Sequence, residues 1–166
     1  MKNLIMFFIA FLFVSGIQAQ TLKVPAKTDA TKAQESLKTE TNNATGQANM
    51  GSLIGQLTNN ISDNAFTDAF RNNKAGFINS LSSVKDIAGA SSALQKLQGG
   101  LLPAAMDAGW SKVKDKWLKD TKAANSIKSV ASSASLLESN ISDKFFKGNW
   151  ASVKPAWEAG LKTLSK

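Results

Sequence analysis

The stretch Asn140–Lys166 reads Asn-Ile-Ser-Asp-Lys-Phe-Phe-Lys-Gly-Asn-Trp-Ala-Ser-Val-Lys-Pro-Ala-Trp-Glu-Ala-Gly-Leu-Lys-Thr-Leu-Ser-Lys, and related stretches occur twice earlier in the chain. When the chain is aligned with itself, Asn60-Ile61-Ser62-Asp63 falls on Asn140-Ile141-Ser142-Asp143 without a gap. A shift half as long places Trp110 and Trp117 on Trp150 and Trp157. Because the same register also aligns aliphatic and lysine positions, the sequence predicts three repeats of about 40 residues, at 50–89, 90–129 and 130–166.

The first half of a repeat carries apolar residues at alternating spacings of three and four, which predicts a helix with one apolar face. Asp86 and Ser126 precede two of these helices and have the side chains expected of N-caps. The stripe of the second repeat is Ile87, Ala90, Leu94, Leu97 and Leu101, and that of the third repeat is Ile127, Val130, Ala134, Leu137 and Ile141.

The second half of a repeat is interrupted, as Gly148-Asn149 and Pro155 show in the third copy. Proline is costly inside a helix but tolerated in its first turn, so we expect a break followed by a longer helix. The pattern predicts a short helix near 63–69 and long helices near 72–86, 111–124 and 152–165.

Residues between the halves have the chemistry of helix ends. Ser62-Asp63 and Ser142-Asp143 resemble N-caps, and Pro103 takes the equivalent place, where proline suits a helix start. Gly99-Gly100 is typical of a C-cap.

The fold class predicted is all-α, a compact helical bundle or a short solenoid built from three helical hairpins. Alternating β-branched runs and hairpin turn dipeptides are absent from the sequence. The unit length is that of helical solenoids, without the signature residues of the tetratricopeptide or ankyrin families. The last repeat has no polar capping unit, which favours a closed six-helix bundle or a self-associating array.

The N-terminal region predicts export. Lys2, the apolar run Leu4–Val14 and the small residues up to Ala19 form a cleavable signal peptide over 1–19, since the run is too short to span a bilayer. Residues 20–48 lack aromatic side chains and predict a disordered polar tether before a helical domain over 49–166. We expect a periplasmic or secreted bacterial protein.

The composition excludes several kinds of catalytic and metal site. The chain has no His, Cys or Tyr, so Ser-His and Cys-His nucleophile pairs and imidazole or thiolate zinc sites cannot form. We therefore expect no catalytic residues, no metal site and no cofactor, and predict a protein that is not an enzyme.

Aromatic and lysine residues recur at the same places in the repeats. They form either the core or a groove for a ligand such as a glycan or a lipid, and the lysines between them either extend along the rings or make cation–π contacts. These positions are Phe70, Lys74, Phe77, Trp110, Lys114, Trp117, Trp150, Lys154 and Trp157.

Positive charge is concentrated in the stretch Trp110–Lys122 of a chain whose net charge is +8. A helix there would place Lys112, Lys116, Lys119 and Lys122 opposite the tryptophans. Such a face either binds an anionic membrane surface or is an ordinary solvated surface.

The predicted function is a non-enzymatic exported binding module for an envelope surface or a protein partner. The alternative is a structural, self-assembling envelope protein, and an enzyme or a membrane-active protein is the weaker alternative. Nucleic acid is disfavoured as a partner because Arg71 is the only arginine and the chain is expected to be exported.

Overall fold

The computed structural model describes residues 49–166, and this part of the chain is all-α, as predicted. The signal peptide predicted over 1–19 and the tether predicted over 20–48 lie outside the described residues. The helices are α1 (49–60), α2 (Asp68–Ser80), α3 (Ile87–Gly100), α4 (Trp110–Lys122), α5 (Ile127–Glu138) and α6 (Trp150–Leu164). For reference we group them in chain order as the pairs α1–α2, α3–α4 and α5–α6, and we call these pairs hairpins 1, 2 and 3.

Each hairpin contains a connecting segment with one turn of 3-10 helix. The connecting segments are 60–67, 100–107 and 140–147, and their 3-10 turns are Asp63–Ala65, Pro103–Ala105 and Asp143–Phe145. A further 3-10 turn, Leu81–Ser83, extends the end of α2.

The predicted N-caps of the first helices are confirmed. The Asp86 carboxylate accepts a hydrogen bond from the backbone N–H of Gly89 at 2.6 Å, and the Ser126 hydroxyl accepts one from that of Ser129 at 3.2 Å. Each bond satisfies a backbone donor that the helix itself cannot pair. Leu101 and Ile141, predicted as the last positions of the two helical stripes, lie just beyond the ends of α3 and α5.

The ends of the second helices differ from the prediction. The helix α2 begins at Asp68, earlier than predicted, because the Thr67 hydroxyl accepts from the backbone N–H of Phe70 at 3.3 Å. The helix α6 begins at Trp150, so Pro155 lies beyond its first turn. Proline donates no backbone hydrogen bond, and α6 continues past it to Leu164.

Three predicted cap assignments need correction. Ser62 and Ser142 occupy N-cap positions, but their side chains make no cap hydrogen bond. Pro103 does begin its 3-10 turn. Gly100 ends α3 without the positive φ of a glycine C-cap, and the reason for glycine there is contact: a Cβ on Gly100 would lie 2.2 Å from Cδ2 of Phe70.

The first helix of each hairpin faces the centre of the bundle. Residues at equivalent positions of the three hairpins are buried there, and several of their side chains are fully inaccessible to solvent. The inner helices bury more of their residues than α2, α4 and α6 do. Nine apolar residues at equivalent positions of these helices are fully buried and belong to one core cluster: Met50, Ala90 and Val130, Ile54, Leu94 and Ala134, and Leu57, Leu97 and Leu137.

Backbone hydrogen bonds join the three connecting segments in a closed ring. Segment 60–67 binds segment 100–107 through Thr67 N–H to Gly100 O at 2.8 Å and Leu102 N–H to Ala65 O at 2.8 Å. The other two junctions use the same pair of bonds at equivalent residues. They are Asp107 N–H to Asn140 O at 2.9 Å, Ser142 N–H to Ala105 O at 3.0 Å, Lys147 N–H to Asn60 O at 2.8 Å, and Ser62 N–H to Phe145 O at 2.8 Å.

The ring joins the last hairpin to the first, so the described part of the chain is a compact bundle and not an open solenoid. Isolated antiparallel bridges mark the three junctions, and no β-strand forms within residues 49–166. Among the described helices, none has the length and apolarity needed to cross a membrane.

Candidate functional site

The four lysines predicted as an anionic-surface site form one exposed face of α4. Lys112, Lys116, Lys119 and Lys122 are all exposed, and their spacing of four, three and three residues keeps them on one side of the helix. We call these four residues the lysine face. Within the described residues, Lys116 pairs with Asp120, and the other three make no ion pair.

The opposite side of α4 is part of the core. Trp110 is 5% exposed and Trp117 is 2% exposed. The Trp117 indole N–H donates to the backbone carbonyl of Ser133 on α5 at 2.8 Å, and the two indole rings meet edge to face with centroids 5.6 Å apart. Because the tryptophans hold α4 on the bundle, they cannot enter a membrane while this packing is intact.

The recurring aromatic residues line the interface of the outer helices with the core. Phe77, Trp110, Trp117, Trp150 and Trp157 are buried. Their rings make the same kinds of contact in each hairpin: Trp150 meets Trp157 at 5.7 Å, and Phe70 meets Phe77 at 5.1 Å. All five side chains belong to the hydrophobic core cluster.

Phe70 alone among the recurring aromatic residues is only partly buried. It lines a cavity of about 600 Å³ between α2 and α3, together with Phe77, Asn73 and Lys96. In hairpin 1, this cavity is where an aromatic residue of the recurring set borders a groove.

The recurring lysines have different partners. Lys74 donates to the backbone carbonyl of Ile61 at 3.0 Å and to Asp63 Oδ1 at 2.8 Å, and its Nζ lies 4.7 Å from the centroid of the Phe66 ring. The hydrogen bond from Lys74, and then its charge, hold the pKa of the Asp63 carboxyl below its usual value. Lys74 thus makes both the cation–π contact and an ion pair.

Lys154 pairs with a buried carboxylate, Glu138, which is not among the predicted site residues. Glu138 is 4% exposed, and its Oε1 lies 2.9 Å from Lys154 Nζ and 3.3 Å from Trp150 Nε1. The hydrogen bond to Glu138 raises the pKa of Lys154. A glutamate next to the apolar Leu137 is the one sequence signal for this cluster, since buried carboxylates need partners.

Lys114, the third recurring lysine, is exposed and makes no ion pair with any residue that the structure describes. Its counterparts Lys74 and Lys154 both have acidic partners. This difference sets hairpin 2 apart from its neighbours.

Residues 49–166 contain no group of three or more Asp or Glu side chains placed to hold a metal ion. The arrangement can instead present a charged surface to a partner, because the lysine face projects from a helix fixed by its buried side. No protein-family model, curated protein or solved structure matches this chain.

Proposed function

We propose that the protein is a non-enzymatic binding module, exported to the periplasm or secreted, that docks on an anionic envelope surface through the lysine face of α4. The observation that carries the proposal is the exposure of all four lysines on a helix whose tryptophans are buried. A rigid helix presents its charges in a fixed pattern, so less side-chain and backbone freedom is lost on docking.

The charge distribution supports this surface over others on the bundle. Residues 90–129 contain seven lysines and three aspartates, whereas residues 50–89 contain three basic and three acidic residues. The excess charge of hairpin 2 comes mainly from α4. A lysine near an anionic membrane contributes about 1 kcal/mol of attraction, which falls off within a Debye length.

The proposed mode of docking is peripheral. Trp110 and Trp117 stay in the core, and the attraction is electrostatic and sensitive to salt. This mode differs from that of an interfacial amphipathic helix, which buries its apolar face among the lipids. Binding without any change in the environment of the tryptophans is therefore its signature.

Charge reversal tests the proposal with a matched control. The variant Lys112→Glu/Lys119→Glu reverses two of the four charges on the lysine face, and we expect it to lose at least tenfold in affinity for anionic vesicles at low salt. Lys144→Glu/Lys162→Glu makes the same change in net charge at exposed lysines on hairpin 3. Equal losses in the two variants would show that net charge alone drives binding, and would refute a specific lysine face.

The same proposal includes the finer architecture, three sequence repeats at 50–89, 90–129 and 130–166. Its support is the ring of connecting segments, in which three junctions use the same pair of backbone hydrogen bonds at equivalent positions of the three hairpins. The self-assembling alternative was based on a last repeat without a capping unit. It has less support, because segment 140–147 bonds to segments 60–67 and 100–107.

A further inference from the structure

A cavity of about 370 Å³ lies where α3, segment 100–107 and α4 meet. Its wall includes Gln98, Met106, Asp107, Trp110 and Lys114. The volume is in the range of small-molecule sites. The lysine face points elsewhere, so this cavity is a separate feature of hairpin 2.

The Trp110 indole N–H in this wall is buried and has no hydrogen-bond acceptor among residues 49–166. The chain's other three tryptophans all donate, Trp117 to Ser133 O, Trp150 to Glu138 Oε1 and Trp157 to Leu53 O. A buried donor without an acceptor destabilises the fold because it has lost its hydrogen bond to water without replacing it. Such a group in a native protein calls for an unseen partner or a functional reason.

In hairpin 3, the indole N–H of the equivalent residue, Trp150, does have a hydrogen-bond acceptor. At the position equivalent to Gln98 stands Glu138, and its carboxylate binds both Trp150 Nε1 and Lys154 Nζ. The Phe146 ring stacks on Trp150 with centroids 4.9 Å apart and an interplanar angle of 7°. A carboxylate and an aromatic ring together fill the site.

Hairpin 1 also has a lysine–carboxylate pair and a stacked aromatic ring, although its carboxylate comes from a different position. Lys74 binds the Asp63 carboxylate at 2.8 Å, and the Phe66 ring stacks on Phe70 at 4.8 Å. Hairpin 1 has no tryptophan at position 70, so no indole donor needs an acceptor there. Lysine, carboxylate and stacked ring are again all present.

Hairpin 2 has the lysine and the indole but lacks both the carboxylate and the ring. Pro103 replaces Asp63 and Asp143, Gln98 replaces Glu138, and Met106 replaces Phe66 and Phe146. The cavity lies at the place of these substitutions. Methionine is flexible and polarizable, so its side chain adapts readily to a guest.

We propose that this cavity binds a small aryl carboxylic acid. The carboxylate accepts from Trp110 Nε1 and pairs with Lys114 Nζ, as Glu138 does with Trp150 and Lys154. The aryl ring stacks on Trp110, as Phe146 does on Trp150, an arrangement that strengthens binding beyond the burial of its area. The Gln98 amide moves aside to admit the carboxylate.

Asp107 also lies in the wall, and its charge opposes an anionic guest. The carboxylate is exposed, so water screens this repulsion. Asp107→Asn removes the charge at nearly constant size and should therefore tighten binding several-fold.

The test is an NMR titration of the isotope-labelled chain that follows the four indole N–H signals, with Trp110→Phe identifying the Trp110 signal. Phenylacetate should shift the Trp110 signal saturably, with a dissociation constant in the millimolar range or below. Phenylacetamide, which has the ring without the charge, should shift it much less. No shift, equal shifts of all four signals, or equal responses to the acid and the amide would overturn the proposal.

Two variants make the test specific. Gln98→Glu supplies a built-in carboxylate, so the Trp110 signal should move without ligand and phenylacetate should no longer bind. Lys114→Met should weaken binding about tenfold, whereas Lys162→Met, at an exposed lysine far along α6, should leave it unchanged. Undiminished binding by Gln98→Glu would contradict the proposed carboxylate position.

Discussion

The Trp157 indole N–H donates a hydrogen bond of 2.8 Å to the backbone carbonyl of Leu53, across 104 residues of chain. It ties the last helix of the bundle to the first, and backbone bonds tie segment 140–147 to segment 60–67. Trp117 makes the corresponding bond to Ser133 at 2.8 Å, and the related residue Phe77 has no donor. The side chains and the backbone thus close the bundle at the same junction.

Trp157→Phe should lower the free energy of unfolding by about 2 kcal/mol, because it removes a hydrogen bond and leaves space around a smaller ring. Urea denaturation measures the loss, and Trp117→Phe should lose a similar amount. A Trp157→Phe variant as stable as the parent would show that the Trp157–Leu53 contact does not stabilise the closure.

Gly100→Ala should destabilise the bundle by about 1–3 kcal/mol, because its Cβ would lie 2.2 Å from the Phe70 ring. Gly99→Ala is the matched control. A Cβ on Gly99 meets nothing within 4 Å, so alanine there should stabilise α3 by up to about 1 kcal/mol through its helix propensity. Thermal or urea unfolding compares the two, and the same sign of effect in both would contradict the assigned close approach of Phe70 to Gly100.

The pair Asp63–Lys74 should make stability depend on pH in the acid range. The pKa of Asp63 is lower in the folded state than its ordinary value of 3.8. The pair therefore makes its full contribution to the free energy of unfolding when the pH is above 3.8. This contribution is lost as the pH falls through the lower pKa that Asp63 has in the folded protein. Asp63→Asn should flatten this part of the stability–pH curve.

Lys74→Met provides the control for the acid-range prediction. Adding Asp63→Asn to Lys74→Met should change the acid limb little, because the main cause of the lowered pKa is already gone. The measurement is the urea midpoint at a series of acid pH values. An undiminished effect of Asp63→Asn in the Lys74→Met background would place the cause elsewhere.

Lys154→Met should destabilise the bundle by about 1–3 kcal/mol, because it leaves the buried Glu138 carboxylate with the Trp150 indole as its remaining partner. Loss of a partner from a fully buried pair costs about 3–5 kcal/mol, and the smaller figure reflects the 38% exposure of the Lys154 side chain. Lys162→Met removes an exposed lysine from the same helix and should have little effect.

The pair Glu138–Lys154 should also make stability depend on pH in the alkaline range. The pKa of Lys154 is raised above its ordinary value of 10.5, so its contribution is complete below that value and is lost as the pH rises through the folded value. In Lys154→Met this alkaline loss should be absent, as urea midpoints across that range would show. An identical alkaline limb in the variant and the parent would contradict the assignment.

The sequence predicted the helices well where the signal is local. Asp86 and Ser126 cap the helices that the apolar stripes predicted, because an N-cap bond joins residues close together in the chain. The predicted start of α2 is too late, because the apolar pattern does not identify Thr67 as the N-cap. The pattern predicts a C-cap at Gly99-Gly100, whereas glycine at position 100 is explained by its contact with Phe70, which lies on a different helix.

The site was less predictable because it depends on contacts between helices that the chain pattern does not encode. Exposure of the lysine face follows from helical spacing alone. The burial of Glu138 depends on Trp150 and Lys154, which lie on the next helix. No periodicity in the sequence specifies that Gln98 would leave the Trp110 indole without an acceptor.

The measurement that tests the proposed docking most directly is co-sedimentation of the chain, residues 20–166, with anionic and with neutral vesicles at low and high salt, with tryptophan emission recorded on the same samples. We predict binding to anionic vesicles that high salt abolishes, with no shift in emission because Trp110 and Trp117 remain in the core. Absence of binding to anionic vesicles at low salt would contradict the function proposed for the lysine face. A blue shift on binding would contradict the peripheral mode and indicate that α4 leaves the bundle to enter the lipid.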